Sequence, residues 1–589
     1  VRDYLVIEIE AGADPAPWRE AEALVLASGQ WSKVAERRRF SIFLEAARPP
    51  AYRHLAGVGG GLIGEVFDAQ AARRGEGRDF CLVGLGAEPR EVAAALADRA
   101  FGRYVAILND DRGPARVLRD PLGVMEAIGW RRGPLRFIGS RLPDLRDLWP
   151  HELSIDWPAL AAILRQKNLA SVICPLKGVV SYPPGILAGP DGEGPRLWSP
   201  AVFARRPWRD ADPRALRDVV DGAVAAWAQG LGGVFCEISG GLDSAIVATS
   251  LAHARAPLLY GLNHSFPREE SDERAYARAV ADHIGAPLRI VERGPLRLEP
   301  AKLVGAAGGP RPNYVGGDPD HDADLSARLA EPGVEAMFTG RGGDGVFFQS
   351  GHPSLARDVL AGACGDGRIG GLARLARRNG ATVWDILRRG LAPQDLTAGL
   401  GVQMFMSPAA AAGPVGRHPW LGEARDLAPA KQLQILALVN GLSAFGESRR
   451  HRAGDVIDPL MSQPVVEFCL SLAAGRLAIG ANDRPFARAA FAERLPAAVL
   501  ERRGKGNLTI FVAQSLCQSL DALRPYLLEG RLAAEGLLDR ERLDAALCAD
   551  QLVWTNITSE LFVLLALEAW ARRWTERLTA SAAAPSPPA

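Results

Sequence analysis

The stretch Val234-Phe235-Cys236-Glu237-Ile238, followed at once by Ser239-Gly240-Gly241-Leu242-Asp243-Ser244, decides the reading of this chain. A short, mostly apolar run ending in a Gly-rich turn predicts a buried strand over 234–238, and the residues beyond it predict a helix over 243–254. Glycines at such a junction let the backbone turn tightly and approach an anion, while the free N–H groups of the helix start point at it. Ser239 and Ser244 add hydroxyl donors, and Asp243 offers a carboxylate to Mg²⁺. The G-x-x-x-x-G-K-[ST] pattern is absent from the 589 residues, which argues against a nucleotidase that cleaves between the β- and γ-phosphates.

Working outward, the same alternation continues. Asp212-Pro213 starts a helix that runs to about Leu231. Strands are predicted over 258–262, 288–291 and 334–339, with a helix over 273–284. Strands and helices at this interval make a parallel sheet with crossover helices. A second Gly-rich turn, Thr339-Gly340-Arg341-Gly342-Gly343-Asp344, follows the last of these strands. It therefore belongs at the same sheet edge as the first, with Asp344 a second carboxylate for Mg²⁺ beside Asp243. Beyond residue 350 the periodicity is helical almost throughout.

Before residue 205 the pattern is different. Short β-like runs at 4–9, 80–85, 104–108, 115–118 and 135–138, separated by turn signals, predict an antiparallel layered fold. The stretch 188–208, rich in Gly, Pro and Trp, reads as an inter-domain linker, and Ala580–Ala589 as a disordered tail. Gly59–Gly64 matches G-x-G-x-x-G formally, but no strand signal precedes it and it reads as a tight turn. Asp318, Asp320, Asp322 and Asp324 alternate like a calcium loop without its Gly and Glu, and read as helix-capping residues. Arg449, Arg450 and Arg452 read as a solvated helix face. None of the nine His residues has the spacing of a metal-binding pair.

Composition excludes whole classes. Balanced charge, 69 basic against 68 acidic residues, leaves no basic footprint for nucleic acid. Seven scattered Cys residues read as reduced thiols of a cytoplasmic protein. The longest uncharged stretch, 396–416, holds four Gly and two Pro and cannot be a membrane span. Only six of the 69 basic residues are Lys.

The S-G-G-x-D-S turn resembles that of the PP-loop ATP pyrophosphatases. Together with the second Gly-rich turn and a helical C-terminal half, it resembles the asparagine synthetase B family. Phe101-Gly102-Arg103-Tyr104-Val105-Ala106, Arg119-Asp120-Pro121-Leu122-Gly123, Ile138-Gly139-Ser140-Arg141 and Tyr182-Pro183-Pro184-Gly185 are similar to landmarks of that family's glutaminase domain. The resemblance implies an α/β protein of two domains. Residues 1–200 would be a glutaminase-like αββα layered domain, 210–575 a parallel-sheet synthetase domain with a helical extension, and 576–589 a disordered tail. It implies ATP and Mg²⁺ as cofactors, Ser239, Gly240, Gly241, Leu242, Asp243, Ser244, Thr339 and Gly340 at the nucleotide, and Asp243 and Asp344 on the metal. Lys505, in Arg502-Arg503-Gly504-Lys505, is similar to the family's lysine that reaches the α-phosphate.

Two departures shape the expected reaction. The family's glutaminase nucleophile is an N-terminal Cys, whereas residues 1–4 here are Val, Arg, Asp and Tyr; the front domain is therefore expected to be inactive. Arg341 stands where asparagine synthetases carry Glu and β-lactam synthetases Tyr, and a guanidinium cannot act as a base. With Asp458-Pro459-Leu460 and Glu467, these features are most similar to the lasso peptide macrolactam cyclases. That resemblance implies an AMP-forming ligase that closes an isopeptide bond in a precursor peptide beside a leader peptidase, with Arg341 and Glu273 near the substrate. The alternatives are an asparagine synthetase or β-lactam-synthetase-like ligase, a tRNA-modifying enzyme, and an inactive scaffold.

Overall fold

The computed structural model describes residues 2–109, 113–206, 211–266, 272–397, 401–442, 445–502, 509–555 and 557–582. Its centre is a five-stranded parallel sheet in the spatial order Leu288–Glu292, Leu258–Ser265, Val234–Glu237, Ala336–Phe338, Asp455–Ile457. Val234, Phe235 and Cys236 are wholly buried, as a central parallel strand covered on both faces requires. The helices Pro213–Ala228 and Leu242–His253 cover one face. On the other, Leu325 and Leu329 of the helix Pro319–Leu329 pack on Phe235 and Met337. Asp212 caps the first of these helices by accepting from the Arg214 N–H, with Pro213 at its first position.

The strand order reverses between Val234–Glu237 and Ala336–Phe338. In open α/β sheets the crevice at the carboxyl ends of the strands beside such a reversal is where ligands bind. Both Gly-rich turns open onto it. The Asp455–Ile457 strand carries no signal in sequence, being three residues inside a helical region.

Residues 4–188 build two stacked antiparallel sheets, one of six strands and one of five, and a separate two-stranded ribbon of Ser154–Ile155 with Leu176–Lys177. Val6, Phe40 and Ile42 of the first meet Ile63, Val105 and Ile107 of the second. The helix Ala16–Ala27 covers the outer face of the first sheet and Pro89–Arg99 that of the second, giving the helix–sheet–sheet–helix layering that the family resemblance implied.

Several local expectations are corrected. Residues 80–85 form no strand: a single bridge joins Asp79 to Phe67, and Phe80 anchors the following turn in the core. Gly59–Gly64 is no tight turn; Gly60–Asp68 is a strand paired on both sides, so ladder hydrogen bonds outweigh its poor β-propensity. The stretch 188–206 is a packed seam, with Leu187–Ala188 paired to Arg116–Arg119, Trp198 buried, and a helix at Pro200–Ala204, and residues 207 and 208 lie outside the described residues. The last helix, Thr558–Ala582, runs past residue 576, and residues 583–589 lie outside the described residues.

The layered region and the parallel sheet are joined by charge. Asp455, at the sheet edge and 3% exposed, meets Arg2 at 2.6 Å, Arg103 at 2.8 Å and Arg48 at 3.1 Å. Arg103 also meets Glu65 at 2.6 Å. Burial pushes the Asp455 carboxyl up, but Arg103 and Arg2 outweigh it and hold the group well below the usual carboxylate range. Because the folded value lies below the unfolded one, this stabilisation is complete above about pH 4 and is lost as pH falls toward the folded value. Asp455→Asn is expected to lower stability at pH 7 by about 3–5 kcal/mol. In a thermal-unfolding series it should also flatten the acid limb below about pH 4. An acid limb identical to that of the unmodified protein would show that the seam carries no such linkage.

Candidate active site

The Ser239–Ser244 turn is organised by its own hydroxyls. The Ser239 N–H donates to Ser244 Oγ at 3.1 Å, the two hydroxyl oxygens lie 3.1 Å apart, and Ser244 Oγ–H donates to the Gly241 carbonyl at 3.2 Å. Gly240 has φ +79°, a conformation that favours glycine. Gly241 is the N-cap of Leu242–His253, so the first N–H groups of that helix face the crevice. Asp243 and Ser244 are 8% and 5% exposed, at the bottom of the turn.

The second turn is pressed against the first. A Cβ on Gly340 would lie 2.4 Å from the Ser244 backbone nitrogen, so only glycine lets the two turns touch. Thr339 Oγ1–H donates to Asp458 Oδ1 and accepts from the Arg341 N–H at 3.0 Å, which fixes the start of the turn. Arg341 projects into the cavity, 3.8 Å from the Asp458 carboxylate. Asp344 lies in the first turn of Gly343–Val346.

The two sequence-predicted metal carboxylates do come together, and a residue the sequence reading missed joins them. Arg484 Nη1 lies 2.5 Å from Asp243 Oδ2 and 2.6 Å from Asp344 Oδ1, and Nη2 lies 2.8 Å from Asp483. Arg484 is 3% exposed with φ +49°, an uncommon backbone state for a non-glycine residue. The donor set fits Mg²⁺: two carboxylate oxygens converge on one point beside a helix N-terminus and an open cavity. A metal ion at that point requires the Arg484 guanidinium to withdraw.

Other predicted residues take different places. Glu273 is paired with Arg502, which also donates to the Gly240 carbonyl at 2.9 Å, so Glu273 buttresses the turn from behind and is not part of the cavity wall. Lys505 lies outside the described residues. Asp318 caps Pro319–Leu329 as read from the sequence, accepting from the His321 N–H. Arg450 is corrected: it is 2% exposed and 3.2 Å from Asp322, whose oxygens also accept from the Arg449 N–H. An N–H-accepting carboxylate at a helix start drew this cation inward.

The cavity measures about 990 Å³ and its wall includes Arg374, Arg377 and Arg378 of the helix Gly367–Arg378, besides Arg484, Arg488 and Arg502. A net charge of +1 conceals this local excess. With eight arginines against five carboxylates, the wall keeps a basic excess, which favours anionic ligands. No sequence signal separates these arginines from the many others in the chain.

Arg484→Gln leaves Asp243, Asp344 and Asp483 facing one another. Its thermal midpoint without divalent cations is expected to fall, by an amount equivalent to about 3–5 kcal/mol. Millimolar Mg²⁺ should then raise the variant's midpoint more than that of the unmodified protein. An equal effect of Mg²⁺ on both would show that the carboxylates do not share a cation point.

The asparagine synthase family matches residues 215–572, from the first turn of Pro213–Ala228 into the last helix and over more than half of the chain. No curated protein sequence matches the chain at a significant level. Among the described residues no helix is long and apolar enough to cross a membrane. The turn-on-turn crevice and its paired carboxylates lie within the matched region, and the chain belongs to the asparagine synthase family of ATP-using ligases.

Proposed function

We propose that this protein is an AMP-forming carbon–nitrogen ligase that closes a macrolactam in a precursor peptide. In this reading residues 1–200 are a glutaminase-like front domain and 210–575 the ATP-using domain. The observation that carries the proposal is the size and lining of the crevice. At about 990 Å³ it lies at the upper end of the ~300–1,000 Å³ range of small-molecule sites, leaving room for a peptide segment beside a nucleotide. Arg341 supports the same reading, because a guanidinium can hold a substrate carboxylate in a bidentate pair.

The reaction takes two steps. A side-chain carboxylate oxygen of the peptide attacks the α-phosphorus of ATP, and the bond to the β-phosphate oxygen breaks to release pyrophosphate. The α-amine of the same peptide then attacks the acyl carbon and loses a proton, and AMP leaves with its electron pair on phosphate oxygen. Ser239, Ser244 and the backbone N–H groups at the start of the helix Leu242–His253 would donate hydrogen bonds to the pyrophosphate oxygens. Asp243 and Asp344 would hold Mg²⁺, which when bound neutralises charge on the phosphates. Lys505 is assigned to the charge that develops at the α-phosphate.

The test supplies ATP and peptides bearing a free N-terminal amine and an internal Asp or Glu. AMP, pyrophosphate and a product lighter by one water are expected. Asp243→Asn and Lys505→Met should each lower turnover by about 10²–10³-fold. Asparagine formed from aspartate and ammonium would instead assign the small-molecule reaction, and full turnover by Asp243→Asn would remove the proposed site.

A further inference from the structure

We infer that Glu237, His264 and His321 form a site for one divalent transition-metal ion of the zinc class, at the inner wall of the cavity. Glu237 ends the central strand two residues before Ser239, His264 lies near the end of the adjacent strand Leu258–Ser265, and His321 stands in the first turn of Pro319–Leu329. Three segments far apart in sequence meet because adjacent parallel strands end at one edge and the helix start covers them. All three residues line the cavity.

The geometry is that of a ligand set. One ligand atom from each residue lies within 4.8 Å of the other two. The Glu237 carboxylate oxygen is 3.3 Å from His321 Nε2 and 3.7 Å from His264 Nδ1. Tetrahedral zinc with bonds of about 2.0–2.1 Å spaces its donors by roughly 3.3 Å. His321 Nε2 is buried and, at its 3.3 Å separation, makes no aligned hydrogen bond. The two imidazoles meet edge to face with centroids 4.5 Å apart.

The surroundings orient the ligands. His264 uses Nε2 on Asp324 at 2.9 Å, which leaves Nδ1 toward Glu237, and Arg328 holds Asp324 at 2.9 and 3.1 Å. A carboxylate on the far nitrogen is the usual support of a metal-bound histidine. The His321 backbone N–H donates to Asp318 at 3.0 Å, which fixes the helix start that carries His321, and Arg293 holds Asp318 at 2.8 Å. Two nitrogens and one oxygen with a fourth position open to a cavity match the donor set of catalytic zinc sites. This donor set also separates the site from the all-oxygen pair at Asp243 and Asp344.

The inference does not depend on the ligase reading, and its test uses no nucleotide. Full-length protein, stripped of metal by chelator and dialysis, is titrated with Co²⁺ and then Zn²⁺. One equivalent of Co²⁺ should bind at micromolar concentration or below with the intense visible bands of four-coordinate cobalt, and Zn²⁺ should bleach them. His264→Ala and His321→Gln should each abolish the bands, and Asp324→Asn should weaken binding about 10–100-fold. Thermal midpoints of the variants near that of the unmodified protein establish folding, and the unmodified protein alone decides the matter if they do not fold. Absence of stoichiometric Co²⁺ binding, binding unchanged in the folded variants, or displacement of Co²⁺ by millimolar Mg²⁺ would each overturn the site.

Discussion

Asp243 and Asp344 are carried on separate turns that touch, and two carboxylates so close repel unless a cation stands between them. In this structure the cation is the Arg484 guanidinium, within 2.6 Å of both. Much of the site follows from that arrangement. The turns meet because the strand order reverses between Val234–Glu237 and Ala336–Phe338. They touch because Gly340 has no Cβ to strike the Ser244 backbone. Arg484 arrives from the helical C-terminal region, just before the helix Pro485–Ala490, so the helices beyond the sheet complete the site as well as covering it.

A second electrostatic constraint joins the two halves of the chain. Asp455 is on the edge strand of the parallel sheet, yet three arginines from the antiparallel layers neutralise it. The buried carboxylate makes the layered region and the sheet edge mutually dependent, since neither side leaves its charges paired alone. The packed seam around Trp198, whose Nε1–H donates to Glu467 at 2.7 Å, adds a matching polar anchor farther along the interface.

Local chemistry was legible wherever the chain could satisfy it locally. The Asp212-Pro213 helix start, the buried Val234–Glu237 strand and the two Gly-rich turns are short-range features, set by a cap, an apolar run and backbone freedom. The layered front half was readable from its alternating runs. The errors fall where pairing partners decide: Gly60–Asp68 is a strand because two neighbours bond to it, and 80–85 is not because it finds a single bridge. Arg450 looked solvated because its partner, Asp322, is 128 residues away.

By itself the sequence determined the fold class, the parallel and antiparallel halves, and which turns carry hydroxyls, glycines and carboxylates at a helix start. These are properties of contiguous residues, fixed by local hydrogen bonding and hydrophobic periodicity. Only the tertiary structure decided which charges meet. Arg484 between Asp243 and Asp344, Arg502 behind the first turn, Asp455 among three arginines, and Glu237 beside two histidines are all pairings across long separations. In a chain with 69 basic and 68 acidic residues charge alone cannot choose partners; the strand reversal and the helices packed on it choose them by bringing particular ends into one crevice.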